Sequence, residues 1–238
     1  MRLNKFLSDR GVCSRREADR RIEEGRVKIN GVVAELGQRV EENDAISVDG
    51  INVSEGDNKP KVYIALHKPR GIECTTHPDT PHNIVDFVGY PERIYPVGRL
   101  DKPSEGLILM TNDGELSNQV LKARHFHEKV YIATVDHPIT EAFLNGMRSG
   151  VPILDTVTRP CEVKKLKSDM FEIILTQGLN RQIRRMCEYF EYKVLRLRRI
   201  RVLNIELGDL PVGEWRHLTT PEVEQLKQML SAPPTQVD

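Results

Sequence analysis

The chain has 238 residues, 39% of them hydrophobic and 29% charged, and its 35 Lys and Arg are matched by 35 Asp and Glu. That composition describes a soluble globular protein able to bury a core. It excludes a membrane-spanning chain, because no apolar run approaches the roughly 20 residues a bilayer requires. The polar, basic start Met1-Arg2-Leu3-Asn4-Lys5 is no signal peptide, so a cytoplasmic protein is expected. Cys13, Cys74, Cys161 and Cys187 lie far apart without zinc or redox spacing and read as reduced thiols.

The first sixty residues predict two helices followed by short strands. Leu3, Phe6 and Leu7 recur at helical spacing. Ser14-Arg15-Arg16-Glu17 is a capping box, with Ser14 holding an orphan amide and Glu17 reaching back. Ala18 and Ile22 face a core, and Gly25 ends the helix. Val27-Lys28-Ile29 alternates as a strand, Asn30-Gly31 is a hairpin turn, and a second strand pair flanks Asp49-Gly50. The zero net charge hides segregation: residues 1–31 carry nine Lys and Arg against five Asp and Glu, whereas 32–60 carry two against seven. Phosphate recognition depends on local potential, so such a basic patch is compatible with RNA, although a solvated helix face is the plainer explanation. The run from Arg2 to Gly31 resembles the alpha-L RNA-binding module shared with ribosomal protein S-four. That resemblance implies that Arg15, Arg16, Arg20 and Lys28 lie against RNA.

Ser54 to Pro60 is polar and turn-rich and reads as a linker. Beyond it, strands are predicted at 62–66, 106–111, 130–135, 171–176, 194–197 and 202–207, and helices near 115–123, 140–149, 181–191 and 221–230. Strands and helices do not alternate regularly, so the expected fold is α+β with a mixed, mainly antiparallel sheet flanked by helices. The expected division is 1–58, 59–230 and a frayed tail over 231–238.

Two stretches carry the chemistry. Gly98-Arg99-Leu100-Asp101-Lys102-Pro103-Ser104-Glu105-Gly106-Leu107 places a carboxylate in a turn before an apolar run. Asp101 there is either a plain turn residue or a nucleophile or base kept ionised by a nearby cation. Gly178-Leu179-Asn180-Arg181-Gln182-Ile183-Arg184-Arg185-Met186 offers that cation. Leu179, Ile183, Met186, Cys187 and Phe190 form a core-facing stripe, and between Gly178 and Arg201 eight basic residues face two acidic ones. Tyr131, in Glu128-Lys129-Val130-Tyr131, reads on its own as a β-prone core aromatic.

Together these motifs resemble the RsuA/RluF family of RNA pseudouridine synthases, closest to its RluF type, and the likeness runs from Arg2 to about Leu230. It also takes in Asn83-Ile84-Val85-Asp86-Phe87-Val88, Gly150-Val151-Pro152-Ile153-Leu154 and Gly213-Glu214-Trp215-Arg216. The resemblance implies a small alpha-L domain joined to a catalytic domain that converts a specific uridine to pseudouridine. Asp101 would be the catalytic carboxylate, Arg184 its buried ion-pair partner, and Tyr131 the ring that stacks on the flipped base, its phenol a candidate to help remove the proton from C5. Arg99, Leu100, Asn180 and Arg181 would contact substrate RNA. The implied substrate is 23S large-subunit ribosomal RNA, with a tRNA anticodon loop as a second. The isomerisation needs no redox cofactor, nucleotide or metal. The sugar step has three open routes: attack of the carboxylate on C1′, removal of the C2′ proton, or addition to base carbon C6. Glu191 stands where the family pattern has Gly.

Of the seven histidines, only His125 and His127 are paired in sequence, without metal-like spacing, and no metal is expected. No apolar heptad or long exposed edge stands out, so a monomer is expected. A noncatalytic RNA-binding or ribosome-assembly factor is the competing reading. A pure binder has no use for Asp101, Tyr131 and Arg184 together.

Overall fold

A computed structural model of the chain describes residues 1–54, 60–121 and 126–231. Most of the predicted linker, at 55–59, the end of the predicted fourth helix, at 122 and 123, His125, and the tail from 232 lie outside the described residues. The chain divides into two compact units, one of Met1–Val62 with Pro91–Arg93 and Asn112–Gly114, the other holding the remainder.

In the first unit, helices α1 (Leu3–Asp9) and α2 (Arg15–Glu23) precede a four-stranded antiparallel sheet. Its strands are β1 (Val27–Ile29), β2 (Val32–Val33), β3 (Ile46–Val48) and β4 (Ile51–Asn52), in the order β2-β1-β3-β4. Leu3, Leu7, Ala18, Ile22, Val27 and Ile46 close the core. Both predicted hairpins form, because Asn30-Gly31 and Asp49-Gly50 each supply two positive φ angles (51° and 83°, 52° and 82°). The capping box forms only in part. The Glu17 amide donates to Ser14 Oγ at 3.1 Å, but the Glu17 carboxylate turns to Arg20 and Arg21 and does not reach back. Two guanidinium groups outbid one amide for that carboxylate.

The second unit is built on a nine-stranded sheet. In chain order its elements are β5 (Tyr63–Lys68), α3 (Ile84–Val88), β6 (Tyr95–Pro96), β7 (Glu105–Thr111), α4 (Gly114–Leu121), β8 (Lys129–Val135) and α5 (Glu141–Ser149). The small hairpin β9 (Pro152–Ile153) and β10 (Thr156–Val157) follows, then β11 (Glu162–Lys167), β12 (Met170–Leu175), α6 (Gln182–Tyr189), β13 (Val194–Val202), β14 (Ile205–Glu206), β15 (Trp215–His217) and α7 (Thr220–Ser231). The main path runs β11-β12-β8-β13-β7-β5-β15, and among the described strands only β13 and β7 pair in parallel. The mixed, mainly antiparallel sheet with flanking helices is therefore as expected. One core cluster packs Phe143 and Met147 of α5 and Ile183 and Met186 of α6 over Ala133, Phe171 and Leu197. A second gathers Leu116 and Val120 of α4 and Leu226 of α7 around Leu107, Leu109 and Ile205.

Three differences from expectation have physical causes. β13 continues from 194 to 202 as one strand, because its arginines pair with the carbonyl of Leu107 and with Glu105 and Glu128. β11 is an edge strand whose Lys164, Lys165 and Lys167 are exposed, so it lacks the alternation that marks a half-buried strand. Helix α6 ends at Tyr189, and Glu191 adopts φ 64° beyond it, the left-handed geometry for which glycine is suited.

The parallel neighbours β7 and β13 approach at Gly106. A Cβ there would lie 2.2 Å from the Arg199 carbonyl oxygen and 2.6 Å from its nitrogen, and φ is +110°. Gly106→Ala is expected to cost about 3 kcal/mol or more. Gly178→Ala, whose methyl meets nothing within 4 Å, should leave stability nearly unchanged. Urea denaturation of the two variants checks this contrast.

Candidate active site

Asp101 occupies a turn closed by the Ser104 amide, which donates to the Asp101 carbonyl at 2.9 Å. Several bonds fix the turn from behind. The Leu100 amide donates to Cys74 Sγ at 3.3 Å, and the Gly71 amide to the Lys102 carbonyl at 2.8 Å. Lys68, fully buried at the end of β5, donates from Nζ to the carbonyls of Pro69 and Ser104, both at 2.9 Å. Burial pushes this amine below the usual lysine range, against the opposing pull of Cys74, Asp101 and Glu105. An ammonium with two carbonyl acceptors satisfies part of its desolvation cost and ties the motif that carries the acid, at Ser104, to the end of β5.

Arg184 is placed differently from expectation. It is buried, but its Nη2 donates to Ser104 Oγ at 3.2 Å and its Nη1 to the Val194 carbonyl at 3.1 Å. No Arg184–Asp101 ion pair forms among the described residues. Burial, followed by the Arg181 charge, works against the cationic form of Arg184, whereas the Asp101 carboxylate favours it from a distance. The side chain beside the acid is Arg181, with Nη1 4.0 Å from Asp101 Oδ2. Arg181 is the N-cap of α6 and sits at φ 50°, ψ 35°, so it precedes the first turn instead of lying within it. That left-handed backbone points its side chain away from the helix axis and toward the acid. The Arg184 fork, with two acceptors already engaged, supports the turn through Ser104.

Asp101, Arg181 and Tyr131 line one cleft of about 700 Å³. Tyr131 reaches it from β8, half-buried, with the Arg199 guanidinium 5.9 Å from its ring centroid. Arg199 is itself buried and donates from Nε to the Leu107 carbonyl at 2.7 Å. Arg99 and Asn180 are exposed at the rim, whereas Leu100 is 6% exposed and forms wall. Arg185 folds back on Asn180, bonding its carbonyl and its Oδ1 at 3.1 Å each. In the N-terminal unit Arg15, Arg16, Arg20 and Lys28 are all exposed. Arg20 is already held by Glu17 at 2.9 Å, with Glu24 at 3.9 Å.

Sequence reasoning missed Lys68, Ser104, Lys129 and Arg199. The period of two along β8 puts Lys129 on the same face as Tyr131, a signal present in the motif. Arg199 is hidden in an arginine-rich strand. Nothing in the local pattern distinguishes Lys68 from an ordinary strand-terminal lysine.

The RNA pseudouridylate synthase family model matches residues 62–189, and the S4 domain model matches 1–46. The chain is 51% identical over 230 residues to the dual-specificity RNA pseudouridine synthase RluF of Escherichia coli (strain K12), spanning 97% of this chain and 79% of the relative. It is 36% identical over 237 residues to the ribosomal large subunit pseudouridine synthase B of Bacillus subtilis (strain 168), spanning 96% of each. Among solved structures, a pseudouridylate synthase aligns with TM-score 0.70 and 29% identity over 95% of this chain and 99% of its own.

Replacing Arg184 with Met strips Ser104 Oγ and the Val194 carbonyl of a charged donor and should cost about 2 kcal/mol. Arg181→Ala, at an exposed position, should stay within about 0.5 kcal/mol of the parent. Equal denaturation midpoints for both variants would contradict this division of roles.

Proposed function

The chain belongs to the RNA pseudouridylate synthase family and carries an S4 domain at its N-terminus, and from this we propose which RNA it modifies and what each cleft residue contributes. Its activity is that of an RNA pseudouridine synthase, an isomerase. The proposed substrate is a uridine of 23S large-subunit ribosomal RNA, supported by the large-subunit synthase among its relatives. A tRNA anticodon loop is the second proposed substrate, supported by relatives named for dual specificity. The proposed working form is a cytoplasmic monomer, with the S4 domain presenting Arg15, Arg16 and Lys28 to RNA phosphates. Arg20 joins them only by exchanging Glu17 for a phosphate.

The observation that carries the catalytic reading is the meeting of Asp101, Arg181 and Tyr131 in one cleft. Pseudouridine formation breaks N1–C1′, turns the base and rejoins it through C5. No electrons are exchanged with a second reactant and no group leaves the RNA; the C5 hydrogen alone is lost to solvent, balanced by a proton taken up at N1. The chemistry asks for an ionised carboxylate at the sugar, and Asp101 supplies it. Arg181, exposed and 4.0 Å from Asp101 Oδ2, is the cation placed beside it, and the pair escapes the full desolvation of a buried one. Arg184 sets the position of the turn through Ser104. Tyr131 holds the flipped base by its ring, as aromatic faces hold unstacked bases, and Arg99 and Asn180 contact the strand at the rim. The cleft walls keep the detached uracil from water until it rebonds.

Asp101→Asn is expected to bind RNA with near-parental affinity and to lose roughly 10⁴-fold or more in tritium release from transcripts carrying C5-labelled uridine. Undiminished release by this variant would remove Asp101 from the mechanism. Absence of release by the parent on both ribosomal RNA and tRNA would favour a binding role. Arg181→Ala should slow release about tenfold or more, since it removes the cation nearest the acid.

A further inference from the structure

Two lysines line the cleft: the amine of Lys102 faces Glu73, and that of Lys129 has been given no part in the foregoing. Lys129 opens β8, and its side chain shares the cleft wall with Tyr131 two residues on. Its Nζ lies 3.3 Å from the His127 carbonyl, a long and weak bond that leaves the amine's other positions available. Burial, with the Arg199 charge adding to it, brings this ammonium down to about 8, and among the described residues no carboxylate offsets either influence.

We propose that Lys129, as the neutral amine, accepts the proton from C5 of uracil after the base has rebonded to the ribose. The inference rests on the synthase reading above and identifies a base for that reaction's last step. When C5 bonds C1′, it becomes tetrahedral and keeps its hydrogen, with the ring carrying a C6=N1 double bond. Breaking C5–H returns its electron pair to C5=C6, and the C6=N1 pair moves onto N1, which takes up a proton. The C5 proton goes to Lys129 Nζ and from there to solvent. Atoms and charge balance without a co-reactant.

The surroundings suit an amine base. β13 brings the cationic Arg199 toward Lys129, and β12 places apolar Leu175 in register with it. The other charged residues lining the cleft are Glu73, Arg99, Asp101, Lys102 and Arg181, and Asp101 meets Arg181 at 4.0 Å. His127 has its Nδ1 bonded to the Val120 carbonyl at 3.0 Å, and Tyr131 flanks the amine on its own strand. Lys102 lies 3.9 Å from Glu73. Burial and a neighbouring cation keep the amine's proton loosely held, which is what a base working near neutral pH needs.

The test compares single-turnover rates on RNA carrying uridine with hydrogen or deuterium at C5. The parent should show no isotope effect, because proton loss is not its slowest step. Lys129→Met and Lys129→Gln should each slow product formation at least about tenfold and expose a primary isotope effect. Added ethylamine should restore rate to Lys129→Met. Lys129→Arg should remain slow and isotope-sensitive, since a guanidinium does not become neutral. Parental rates in these variants, slowed rates with no isotope effect, or full rescue by arginine would overturn the proposal. A parent that makes no pseudouridine would instead refute the synthase reading.

Discussion

Lys68 lies fully buried beneath the Asp101 turn and bonds only backbone carbonyls. A buried ammonium is costly, and here it is matched to the carbonyls of neighbouring Pro69 and of Ser104 in the motif, so moving the turn would strip the charge of one of its two acceptors. The Ser104 carbonyl faces Lys68 and the Ser104 hydroxyl faces Arg184. One small residue is thus gripped by two cations from separate elements. Asp101, three positions earlier, has its place fixed while its own carboxylate stays accessible. The carboxylate is positioned through its backbone, and its side chain meets Arg181 at 4.0 Å in the cleft.

The sheet adds a second constraint. The parallel pairing of β7 with β13 brings Arg198 and Arg199 opposite Glu105 and Gly106. The missing side chain at Gly106 lets the Arg199 backbone approach, and Arg199 then places its guanidinium near Tyr131. Glu105, nearly buried, is covered by Arg196 at 2.6 Å. The Ser-x-Gly spacing after the acid therefore has a mechanical meaning. Serine receives the cations and glycine admits the neighbouring strand.

Much of this was legible in the residues, and the gaps are specific. Asn30-Gly31 announced its hairpin because turn chemistry is local. The stripe of α6 announced its packing because period 3.6 is local too. Asp101 and Tyr131 could be placed in one cleft through the family motifs. The partner of the acid was misread, because choosing Arg181 over Arg184 depends on a left-handed φ at the helix start, which no periodicity encodes. Lys68 and His67 were left out of β5 because polar residues argue against burial. They are buried nonetheless, each bonded to backbone carbonyls brought close by distant parts of the chain. β11 escaped notice because an edge strand rich in lysine looks like a loop.

The intrahelical clasp of Arg20 by Glu17 bears on how the protein lets go. Isomerising a base leaves the ribose-phosphate chain with the same charges and nearly the same shape, so the reaction itself does little to loosen the grip of an electrostatic binding module. Departure must be easy from the outset. Under the proposed reading, in which this helix meets phosphates, a carboxylate that already holds its own guanidinium would be each phosphate's built-in rival and would shorten the stay on RNA already processed.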